Sequence, residues 1–221
     1  MNKKNEVVIL GKMFMYFSIS LIFTCIGFLI GKSFIPENIV MMANSFIVIL
    51  VVFLFLLTLS SRKQIIPQKF SMRFVYLFAL IVGVLYYPIL THYFRDLGTI
   101  TFVSITIGTS LLFIILTIVS YKKPEGYFLK LGNFLNEALT YLILFTISIS
   151  IISNILSGLI SLVGVILFSI YVIFDISLIK HEIYNNNLNE KNDFSTYVLD
   201  LYLDFINILL NLLDLVFDIK K

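Results

Sequence analysis

Seven long apolar runs, separated by shorter polar stretches, take up most of the 221 residues. A helix needs roughly 20 apolar residues to cross the hydrocarbon core of a bilayer. Runs of that order lie at about 13–31, 39–60, 74–90, 99–120, 131–152, 155–179 and 194–219. They predict an all-α membrane protein with seven transmembrane helices in a single domain, 1–221. The first run follows Lys3, Lys4 and Lys12 in the manner of a signal peptide. No small-residue cleavage site precedes Phe34-Ile35-Pro36, and six further runs follow, so it reads as a retained span.

The last run differs from the others. Asp200, Asp204, Asn207, Asn211, Asp214 and Asp218 recur at spacings of four, three, four, three and four residues. At about 3.6 residues per turn those spacings stack all six side chains on one helix face. The remaining faces are almost wholly Leu, Ile, Val, Phe and Tyr. Such a segment is too apolar for water and too acidic on one side for lipid. It fits the inside of a helix bundle, with the rest of the chain as its wrapping.

Composition agrees with the pattern. Hydrophobic residues make up 59% of the chain and charged residues 13%, with a mean hydropathy of +1.01, which excludes a soluble domain. The lone cysteine, Cys25, allows neither an internal disulfide nor a cysteine-based zinc site. A net charge of +3 is no nucleic-acid footprint, so the expected surroundings are lipid and small ions. The wealth of Ile, Asn and Lys is of the kind a low-GC genome encodes. It points to a bacterial plasma membrane, with the endoplasmic reticulum as the alternative for a eukaryotic source.

The position of the basic residues carries the topology. Lys3, Lys4, Lys12, Arg62, Lys63, Lys69, Arg73, Lys122, Lys123, Lys130, Lys180 and Lys191 fall on one side of the alternating runs, against Lys32, Arg95, Lys220 and Lys221 on the other. The positive-inside rule therefore places the amino terminus in the cytoplasm. Seven full crossings put the carboxyl terminus outside. If the last helix instead re-enters, Lys220 and Lys221 join the basic side.

An ionisable residue inside a span costs several kcal/mol unless paired or hydrated, so each one is a functional candidate. Asp175 lies about one turn before Lys180-His181-Glu182, and Asp204 lies in the early turns of the last run, which enters from the same side. The two are expected at similar depth on adjacent helices. Two carboxylates close together in a low dielectric do not both ionise cheaply, and the pair shares a proton. One shared proton would tie the sixth helix to the seventh; its loss would part them and free oxygens for a hard cation such as Ca²⁺, which takes six to eight oxygen ligands. With Asn207 and water the set is too small for tight binding, and a weak contact during passage fits better.

Other residues have two readings each. Arg62 closes the second run and is either a counter-charge for a carboxylate or an ordinary cytoplasmic anchor. Asn207 and Asn211 either line a pathway or hydrogen-bond across the bundle. Asp200 suits the cytoplasmic mouth and Asp214 and Asp218 an outer one. Glu137, about two turns into the fifth run, either snorkels to the interface or adds to the acidic mouth. His92 and His181 fall in connectors, and no His pair has metal-ligand spacing. With no nucleophile elbow and no intramembrane histidine, enzymatic activity and a resident cofactor are not expected.

Two segments carry a resemblance. Residues 174–180 (Phe-Asp-Ile-Ser-Leu-Ile-Lys) and 201–213 (Leu-Tyr-Leu-Asp-Phe-Ile-Asn-Ile-Leu-Leu-Asn-Leu-Leu) resemble the signature of the transmembrane Bax inhibitor motif family, and the stretch from Leu97 to Lys123 is similar to its fourth span. The seven-run layout of a bacterial-type member matches over nearly the full length. The resemblance implies six helices around the seventh and a pH-sensitive Ca²⁺ leak. It places the family's paired aspartates on Asp175 and Asp204, its latch arginine on Arg62 and a second acidic position on Asp200. The chain departs from the pattern in lacking an acidic residue in the second run and in having Phe174 where tyrosine is common. A proton-coupled carrier using the same carboxylates and a non-conducting regulator acting through partner proteins are the competing readings.

Overall fold

The computed structural model describes residues 3–36, 38–39, 43–62, 70–152, 157–185, 187–188 and 194–220. The expected anchors Lys63, Lys69, Lys191 and Lys221 and the connector at 153–154 lie outside the described residues. Among the described residues there are seven long helices and no strand: α1 (Lys3–Phe34), α2 (Ala43–Arg62), α3 (Met72–Leu97), α4 (Thr99–Tyr121), α5 (Gly132–Ile152), α6 (Ser157–Tyr184) and α7 (Ser195–Lys220). A 3-10 turn at Leu129–Leu131 precedes α5. Each helix coincides with one apolar run. Among the described residues four helices, Glu6–Phe34, Met72–Leu97, Thr99–Tyr121 and Gly158–Tyr184, are long and apolar enough to cross a membrane. The chain is an integral membrane protein.

The helix ends differ from expectation at two connectors: α6 continues past residue 179 to Tyr184, so His181 is helical, and α3 outruns its expected end. Residues 91–98 read as a connector because His92, Arg95 and Asp96 interrupt the apolar pattern, yet α3 runs on to Leu97. His92 and Asp96 lie one turn apart on α3, with Nδ1 and Oδ2 separated by 3.4 Å, so the polar residues continue the helix. The reversal into α4 falls on Gly98 alone, at φ 79°, a conformation that a Cβ disfavours. His92 is therefore a helical residue.

Two arrangements hold the helices in register. Gly27 of α1 and Gly83 of α3 meet backbone to backbone: a Cβ on Gly27 would strike the Leu80 carbonyl, and one on Gly83 the Thr24 carbonyl. Gly31 meets Tyr87 one turn further along. Small residues are what permit such close crossing between apolar helices. The second arrangement caps α4, whose last carbonyls have no partner within the helix. Lys180 of α6, buried, donates from Nζ to the carbonyls of Tyr121 at 2.9 Å and Lys123 at 2.6 Å.

The closing helix α7 is enclosed. Every side chain from Val198 to Asn211 is buried, on the polar stripe and on the apolar faces alike. It packs against α1, α2, α3, α4 and α6, while α5 packs against α2 and α6. At its far end Lys220 donates to the Leu97 carbonyl and to Thr101 Oγ1, tying α7 to the turn between α3 and α4.

Candidate functional site: one arginine among three aspartates

Three helices meet at the last residue of α2. Tyr171 and Asp175 are four residues apart on α6, and Asp200 and Asp204 four apart on α7, so each pair occupies one helix face. Ser61 and Arg62 reach between those faces from the end of α2. The Arg62 side chain is only 4% exposed.

Its guanidinium makes a two-pronged contact with Asp175, Nη1 to Oδ1 and Nη2 to Oδ2, the latter at 2.6 Å. The same Nη2 donates to both oxygens of Asp204, at 3.0 and 3.1 Å. Asp200 Oδ2 stands 3.9 Å from Nη1, and its Oδ1 accepts from Ser61 Oγ at 2.5 Å. The guanidinium carbon lies 4.5 Å from the centre of the Tyr171 ring, within cation–π range. Planar geometry and several donors let one arginine hold two carboxylates at once, which a lysine point charge does not reproduce.

The charges do not balance. One guanidinium faces three carboxyl groups, so the cluster carries two formal negative charges when all three are ionised. Each bound proton brings it nearer to neutrality. Nε of Arg62 is buried without a hydrogen-bond partner, which leaves the cation without its full set of contacts.

Beyond this cluster the polar stripe is filled by protein. Asn207 donates to Thr58 Oγ1 at 3.0 Å and to the Leu203 carbonyl at 2.9 Å, and Asn211 donates to the Asn207 carbonyl at 2.7 Å. Gly164 of α6 lies directly against the Asn211 side chain, where a Cβ would overlap the amide. Asp214 accepts from Tyr93 Oη at 2.8 Å and from Ser161 Oγ at 2.5 Å. Asp218 approaches Gly158 near the start of α6.

The structure thus brings Asp175, Asp204 and Arg62 together and adds Asp200 to them. The mouth expected at Asp200 is instead a buried carboxyl, and the outer mouth expected at Asp214 is a hydrogen-bonded contact between α3, α6 and α7. Glu137 sits exposed on α5, next to Asn136, which accepts from Tyr171 Oη at 3.2 Å. The oxygens assigned to a weak Ca²⁺ contact are bonded to Arg62. Among the described residues no group of three or more His, Cys, Asp or Glu side chains is arranged to hold a metal ion.

Sequence reasoning overlooked Ser61, Thr58, Tyr171, Tyr93 and Ser161. Tyr171 was legible as the residue one turn before Asp175. The hydroxyl partners were not, because serine and threonine within a span commonly bond their own helix, as Thr146 does to the Leu142 carbonyl.

A family model described as "Inhibitor of apoptosis-promoting Bax1" matches residues 6–220, nearly the whole chain. The matched region contains every residue of the cluster and all seven described helices except the first three residues of α1. This chain belongs to the Bax inhibitor family of membrane proteins.

Proposed function

We propose that the protein is a pH-sensitive cation leak, with Ca²⁺ as its cargo, in which the Arg62 cluster is the gate. The observation that supports this most directly is that one guanidinium nitrogen serves both Asp175 on α6 and Asp204 on α7. In this reading α7 is the central helix of the bundle, with the other six around it. The amino terminus faces the cytoplasm across a bacterial plasma membrane, and the protein is neither an enzyme nor the holder of a resident cofactor.

The charge imbalance supports a sign for the gate. With one carboxylate ionised against Arg62 and protons on the others, the cluster is neutral and the three helices stay tied. Raising the pH removes those protons and leaves negative charges that a single guanidinium cannot offset in a low dielectric. Repulsion then loosens α7 from α6, and the freed oxygens receive a hard cation. Asp200, joined to Ser61, holds the charge in excess of the pair. Protons and Ca²⁺ thus compete for the same carboxylates.

The test is Ca²⁺ flux into liposomes containing the purified protein, followed across a pH series. Wild-type flux should rise with pH, and Asp204→Asn should flatten the profile. A variant that retains the wild-type pH profile overturns the gate.

A further inference from the structure

The helices α1 and α4 share α3, α6 and α7 as neighbours and leave a crevice between themselves on the outer surface. It consists of two connected hollows of about 550 and 380 Å³ that share Phe14, Thr117 and Ile118. Its walls carry exposed Val7, Ile114 and Ile118. Its floor is a cluster of three rings, Phe17, Phe113 and Phe205, whose centres are 5.1 to 5.8 Å apart. Phe205 belongs to α7, so the crevice reaches the buried helix from the lipid side.

From this geometry we infer that the crevice is a binding site for one anionic glycerophospholipid. Three observations identify the occupant. The first is depth: from Lys122 to Ser110 the crevice follows α4 for twelve residues, about 18 Å at ~1.5 Å per residue. That is close to half of a ~30 Å hydrocarbon core, the reach of an acyl chain from one leaflet. The second is chemistry. The walls are apolar, and their serine and threonine hydroxyls bond their own helix, as Ser18 does to Phe14 and Thr117 to Phe113. An aliphatic chain meets no unsatisfied polar group there, and an unfilled crevice would forfeit the dispersion contacts of its walls.

The third observation is charge. Lys122 lines the end of the crevice where α4 finishes, and Lys180 Nζ lies 5.0 Å from the centre of the Tyr121 ring beside it. On the α1 side the same end carries Glu6, which faces Tyr121. Two cations against one carboxylate favour a phosphate head that is net negative over a zwitterionic one. Gly11 completes the site, because it lines the crevice and a Cβ placed on it meets nothing within 4 Å. The space beside α1 is open for a guest rather than closed by close helix contact.

Native mass spectrometry of the full chain, released from mild detergent with equimolar phosphatidylglycerol and phosphatidylcholine, tests the site. The wild type should retain one phosphatidylglycerol in preference to phosphatidylcholine. Lys122→Gln should weaken that preference about fivefold, the effect of one basic residue at an anionic lipid head. Gly11→Leu puts a bulky side chain into the crevice from a position whose Cβ meets nothing within 4 Å, and should abolish the retained lipid, whereas Leu77→Ala, on the exposed face of α3, should not alter it. Equal retention of the two lipids overturns the inference, as does undiminished binding in Gly11→Leu protein that melts like the wild type.

Discussion

Arg62 has two roles whose consequences are separable. As a partner it satisfies Asp175 and Asp204; as a charge it offsets one of three carboxyl groups. Arg62→Gln removes both and leaves the carboxylates buried without a cation. Breaking a buried ion pair from one side costs about 3–5 kcal/mol, so the variant should melt well below the wild type in detergent at neutral pH. The deficit should shrink as pH falls, because protonated carboxyls no longer need the cation. A melting difference independent of pH would show that the arginine acts through shape alone. Ser61→Ala is milder: losing a hydrogen bond to a charged group costs about 1.5–3 kcal/mol, and the loss likewise should be greatest at high pH.

At the scale of the helices, backbone contact at the α1–α3 crossing is more restrictive than ordinary side-chain packing. Gly83→Ala places a methyl group on the Thr24 carbonyl, and no rotamer relieves it. That variant should yield little folded protein, whereas Gly11→Ala, with open space around its Cβ, should be purified at wild-type levels. Comparable yields of the two would remove the close crossing. The elements themselves were legible in the sequence because seven apolar runs leave few alternatives in a membrane. The meeting of Asp175 with Asp204 was legible from their distance to the same polar loop. The place of Asp200 was not, since nothing in a linear pattern shows that Ser61 closes over it. The connector at 91–98 was misread for a related reason: its polar residues satisfy one another along the helix, as His92 and Asp96 do.

For the whole molecule, the seven crossings expected from the sequence would place the two ends on opposite faces of the membrane. In a Cys25→Ser background, single cysteines at Lys12 and Lys220 should react with a membrane-impermeant thiol reagent from opposite sides of oriented vesicles. Labelling of both from one side would mean that α7 turns back. Enclosure of α7 also makes the bundle interdependent: α1, α2, α3, α4 and α6 all rest on it, so a shift at Asp204 is felt by each.

The glycine crossing supplies something useful to anyone measuring such a shift. With main chain against main chain there is no compressible layer between α1 and α3, and the two helices form a ruler of fixed length inside the bundle. Spin labels at the exposed positions Leu29 and Leu77 should report the same separation at every pH, and so calibrate the change that the proposed gate predicts in the distance from Leu29 to a label at Leu56 on α2. A contact made for close fit thus becomes the fiducial mark against which movement of the Arg62 end can be read.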